Sequence, residues 1–136
     1  MADMLNAISG FTLLNDGGYD RDRRLGKIIA INCGYETDYS LLVTVERSGG
    51  ENVIRFDVPL AYRVQEERDL LHYWSVRERE AVAIGVLYTV DHSPYRSEFI
   101  STVSAQEYSF QHYLVAGDDL CVEVLTARPP QLPKDW

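Results

Sequence analysis

Residues 54–74, IRFDVPLAYRVQEERDLLHYW, constrain this chain more than any other stretch. Ile54, Phe56, Val58, Leu60, Tyr62 and Val64 share one parity, and Arg55, Asp57, Pro59, Ala61 and Arg63 share the other. That period of two predicts a long strand with its apolar row in the core. Beyond Val64 the period changes. Leu70, Leu71 and Trp74 fall on one stripe of a helix expected over 65–76. Pro59 cannot donate to a β-ladder, so the strand is expected to bend near 57–60 and serve two sheets or turn a barrel corner. Glu66, Glu67 and Asp69 stand where the helix begins, at the positive end of its dipole.

Strands are expected on both sides of this segment. Before it come 11–14, 26–33 and 39–46; after it come 81–90, 95–103, 108–116 and 120–126. Turn signals separate them: Asn15-Asp16-Gly17-Gly18, the run from Gly34 to Asp38, Ser48-Gly49-Gly50-Glu51, His92-Ser93-Pro94 and Gly117-Asp118-Asp119. The charge-alternating run at 19–24 reads as an exposed loop. The chain is therefore all-β or β-rich α+β: an antiparallel sandwich or partly open barrel of six to eight strands with one short helix. This single domain is expected to span 1–128. The tail at 129–136, RPPQLPKDW less its first arginine, is too proline-rich for strand or helix and should lie extended on the surface.

At 136 residues one domain can bury roughly two thirds of its unfolded surface, without disulfides or a metal. Cys33 and Cys121 each sit in an apolar run and read as buried free thiols rather than a bridge. The N-terminus lacks the basic start of a signal peptide, and the longest apolar run, 81–90, is about half the ~20 residues a membrane helix needs. These features predict a cytoplasmic, soluble protein with no membrane partner. The net charge is −8, from 21 acidic and 13 basic residues, with only two lysines. Phosphate backbones are held by clustered Lys and Arg, so nucleic acid is not the expected partner.

Catalytic and metal motifs do not emerge. His72, His92 and His112 are twenty residues apart and form no ligand pair, so neither a metal nor another cofactor is expected. His112 and Cys121 flank the turn at Gly117 and are the only sequence-local Cys–His pair; a core cysteine beside a hydrogen-bonded histidine is the favoured account. No phosphate loop, dinucleotide fingerprint or nucleophile elbow is present, and the chain leans away from an enzyme. What remains is acidity combined with nine tyrosines and two tryptophans. That combination points to a protein-interaction module, of the inhibitor or immunity type, for a basic protein partner. Its expected surface is Asp57, Arg63, Glu66, Glu67, Asp69 and Trp136. Two alternatives are a ligand-binding or enzymatic β-barrel with a pocket of Tyr62, Trp74, Tyr88 and His112, and a homo-oligomer pairing through an exposed edge.

Overall fold

A computed structural model of the chain describes residues 11–15, 26–34, 38–47, 50–102, 109–134 and 136. The readings of the lead before residue 11, the turn at 16–18, the loop at 19–24, the turn at 35–37 and the first half of the 48–51 hairpin lie outside them. The described strands are β1 (Phe11–Asn15), β2 (Lys27–Cys33), β3 (Leu41–Arg47), β4 (Gly50–Phe56), β5 (Ala61–Glu66), β6 (Leu87–Val90), β7 (Gln111–Ala116) and β8 (Leu120–Thr126). They form a five-stranded sheet, ordered β1-β6-β7-β8-β5, and a three-stranded sheet, ordered β2-β3-β4. Every pairing is antiparallel. The fold is β-rich α+β, as the alternation predicts, with two helices rather than one: α1 (Leu71–Arg79) and α2 (Pro94–Thr102).

The predicted corner is present. The strand over 54–64 breaks between β4 and β5, and its two halves belong to different sheets. Val58 turns the chain there at φ 44°, a left-handed angle that a β-branched residue adopts only under strain. On β4 the apolar row is core, with Ile54 and Phe56 fully buried between the sheets. At the corner and on β5 it is not, which corrects the expectation for the second half of the row. Val58, Leu60, Tyr62 and Val64 are 54%, 37%, 37% and 42% exposed. The reason is geometric. Tyr62 and Val64 pair with Val124 and Val122 and share their sheet face, but three strands cannot cover five, and β5 lies at the margin.

The opposite face of the large sheet is covered by α1. Leu70, Tyr73 and Val76 pack on Phe11, Tyr88, Val90, Leu114 and Cys121. A 3-10 turn, Glu67–Leu70, leads into α1, which stops at a Schellman cap. There Ala81 N–H donates to Glu78 O, Val82 N–H donates to Arg77 O, and Ala81 takes φ 54°. This stop replaces the first half of the strand expected over 81–90, and only Leu87–Val90 is extended. Density of apolar residues alone does not distinguish a strand from a partly exposed apolar loop.

Over its described residues, 95–102, the expected strand at 95–103 is the helix α2 instead. Ser93 caps it, its Oγ accepting from Arg96 N–H, and Pro94 occupies the first helical position. Tyr95 and Phe99 are four residues apart, a helical spacing, and both pack on Phe110 and Leu125. The tail at 129–136 makes one bridge, Gln131 with Arg55, and Trp136 packs against the core between the sheets. Cys33 is half-buried in that core, whereas Cys121 is buried under α1 on the other face; both are free.

Relieving the corner should stabilise the fold. Val58→Gly removes a left-handed cost of about 1–2 kcal/mol against a glycine entropy cost of about 0.5–1 kcal/mol. A net gain of up to about 1.5 kcal/mol is expected as a higher urea midpoint, whereas Val58→Ile should give none.

Candidate surface and the buried network behind it

The interior side of β5 is polar. Arg63 pairs with Glu123 across the β5–β8 ladder and Gln65 stands two residues on, so both side chains lie on the α1 side of the large sheet. Glu123 is completely buried. Its carboxylate accepts from Arg63 Nε, from Tyr73 Oη, from Gln65 Nε2 at 2.6 Å and from Arg63 Nη2 at 3.3 Å. His112 Nε2 stands 3.0 Å from Oε1, off the line of a straight hydrogen bond. Burial pushes the Glu123 carboxyl up, but the His112, Arg63 and Tyr73 contacts outweigh it and hold the carboxyl at about 2. Burial beside Glu123 drives the Tyr73 hydroxyl well above the usual phenol range. Tyr73 is therefore a fixed donor, and Glu123 a fixed acceptor.

The same network reaches α2. Ser93 Oγ hydrogen-bonds His112 Nδ1 while also accepting from Arg96 N–H. Ser93, His112 and Glu123 thus stand in a row, as a nucleophile, base and acid would. Two features give the row a different meaning. Ser93 is 1% exposed and its hydroxyl caps a helix, and Glu123 already accepts from Arg63, Gln65 and Tyr73. The row ties α2, β7 and β8 together. Arg63, held by Glu123, also lies 4.0 Å from the centre of the Tyr95 ring.

The Cys121–His112 pairing does not form. Ala116 is the partner of Cys121, and His112 lies four residues further along β7, on the order of 13 Å away. Burial pushes the Cys121 thiol up to about 12, so it is inert at neutral pH. Among the described residues, no three His, Cys, Asp or Glu side chains are grouped to hold a metal ion.

The four residues of the alternative pocket are divided. Tyr88, His112 and Trp74 lie on the α1 side, where Tyr88 Oη bonds Gly85 N–H and Ala83 O, and Trp74 Nε1 donates to Glu67 O. Tyr62 lies on the opposite face, at the exposed margin. One cavity cannot be lined by both faces of a sheet.

The expected interaction surface is divided as well. Asp57 bonds Arg55 Nε at 2.9 Å and accepts from Gln131 Nε2 at 3.0 Å, so it anchors the tail at the corner. Arg55 reaches Asp38 too, at 2.7 Å, beside a recess of about 200 Å³ that includes Cys33 and Asn32. Arg63 is committed to Glu123, and Trp136 to the core. Glu66, Glu67 and Asp69 remain, with Asp69 exposed. The ladder brings them company that sequence distance hid. Glu66 pairs with Leu120, and Glu67 N–H donates to Asp119 O at 2.8 Å. Glu66, Glu67, Asp118 and Asp119 therefore line one recess of about 350 Å³, together with Arg68 and Leu120. Arg68 touches Glu66, and Lys27 reaches Asp119 at 3.4 Å. The recess wall is tied to the small sheet, because Asp118 N–H donates to Gly26 O and Gly117 packs so close to β2 that an added Cβ would lie 3.1 Å from Ile28 Cγ1.

Comparison with protein-family models, with curated proteins and with solved structures finds no match to this chain. No helix among the described residues is long and apolar enough to cross a membrane.

The buried carboxylate should govern acid stability. Its native value lies below the unfolded one, so its contribution is full above about pH 5 and is lost as pH falls toward 2. That contribution is about 3 kcal/mol. Glu123→Gln should flatten the rise of urea stability between pH 2 and 5 while lowering stability at pH 7.

Proposed function

We propose that this protein is a small acidic interaction module of the cytoplasm, of the inhibitor or immunity type, that holds a basic segment of a protein partner. The observation that carries the reading is the recess at the end of β5 and β8. Four carboxylates from two distant parts of the chain line it, on a molecule of net charge −8. Carboxylates at a solvent-open recess attract Lys and Arg side chains and steer their approach, and salt weakens that steering. The recess walls are strand ends and a tight turn, so its charges are presented on a fixed frame rather than on a loose loop.

Charge reversal separates this recess from general acidity. The variant E66K/E67K/D118K/D119K and a control, E51K/E78K/E80K/D91K, carry the same net charge. Against a lysine- and arginine-rich peptide at low salt, the recess variant should lose about tenfold or more in affinity. The control should lose clearly less. Equal losses in the two variants would reduce the effect to net charge and remove the recess from the account.

A further inference from the structure

β5 is an edge strand. It pairs with β8 on one side and with no other strand among the described residues. Glu67 N–H donates to Asp119 O, and that pair belongs to the same register as Arg63 with Glu123 and Gln65 with Cys121. Backbone groups alternate along an antiparallel strand, so those of Arg63 and Gln65 face β8 and those of Tyr62, Val64 and Glu66 face outward. The side chains of Tyr62 and Val64 are exposed on one face of this edge, 37% and 42%. An edge whose outward donors and acceptors meet no partner among the described residues, beside an open apolar row, is a template for another strand unless something blunts it. Pro59 does not blunt it, since it precedes β5. The buried network prevents the usual remedy: Arg63, the one basic residue of β5, is drawn inward by Glu123.

We propose that β5 is a docking edge on which an extended segment of the partner adds as a sixth strand, antiparallel to β5. Its alternate apolar side chains cover Tyr62 and Val64, and Lys and Arg at its N-terminal end enter the recess of Glu66, Glu67, Asp118 and Asp119. The charged half of this statement rests on the function proposed above; the strand addition rests on the edge itself. Charge selects the occupant. An antiparallel strand has its N-terminal end beside the C-terminal end of β5, which is where Glu66 and the recess lie. A second copy of this chain carries the same −8 and would add like charge along the contact. Main-chain bonds then supply the attachment, and the side-chain pattern supplies the choice of partner.

The test uses the whole protein and the capped peptide Lys-Arg-Lys-Val-Thr-Val-Thr-Val. In this register the first two valines lie opposite Val64 and Tyr62, and the valine amides point at the β5 side, while the threonine amides point away. N-methylating the valines should abolish binding, and N-methylating the threonines should leave it within about threefold. On the protein, Val64→Pro removes an outward donor without cutting the β8 ladder and should match the valine-methylated loss. Binding should also slow hydrogen exchange at the amides of Tyr62, Val64 and Glu66, with Arg63 and Gln65 already protected in the free protein.

Equal binding by the two methylated peptides would overturn strand addition, and if recess reversal still weakened them the acidic reading would survive alone. Loss on valine methylation with no effect of recess reversal would overturn the basic end while keeping the edge. No binding of the unmodified peptide at about 1 mM would overturn the proposal. A dimer in sedimentation that Val64→Pro dissolves would overturn it in favour of a second copy.

Discussion

The fully buried carboxylate of Glu123 is the constraint on which the arrangement of the large sheet depends. A lone carboxylate in a dry interior costs several kcal/mol unless it is paired and hydrogen-bonded. Here the partners come from every neighbouring element: Arg63 and Gln65 from β5, Tyr73 from α1 and His112 from β7. Removing any one partner leaves the charge less compensated, so the elements are held in mutual register rather than merely packed. The demand also fixes which way β5 faces. Its polar residues must turn toward α1, and its apolar residues are left on the small-sheet face, at a margin that the small sheet does not reach.

That consequence links the interior to the surface. A strand whose polar row is conscripted by a buried acid shows its apolar row at a sheet margin. The corner at Val58 accomplishes the transfer, and its left-handed angle is the local cost of moving one strand between two sheets. At the far end of β5 the ladder with β8 brings two acidic pairs together. Edge, apolar row and acidic recess thus lie along one strand.

Much of this was legible in sequence. The period of two located β4 and β5, the proline-marked corner separated them, and the change of period announced α1. Glycine-rich and Asx-rich turns placed the β7–β8 hairpin. Two signals were present but outweighed. Ser93-Pro94 is a helix start, and Tyr95 and Phe99 keep a helical spacing that also satisfies alternation by parity. Glu123 is a single carboxylate in LCVEVLT, where both neighbouring parities are apolar, and such a residue in a central strand demands buried partners.

What sequence could not supply was the identity of those partners. Arg63 is 60 residues from Glu123, and no local pattern distinguishes an arginine on a solvent face from one drawn inward across a ladder. For the same reason the apolar row of β5 read as core: period records which residues share a face, not what covers that face. Local chemistry by itself determined the alternating strands around the corner, the corner itself, a helix following β5 and the acidic excess, but it misread α2 and the first half of 81–90 as strand. Only the tertiary structure decided that three strands cover part of five, that Glu66-Glu67 and Asp118-Asp119 meet, and that β5 is an edge strand among the described residues. Those are matters of long-range pairing and coverage, fixed when the ladder closes around Glu123.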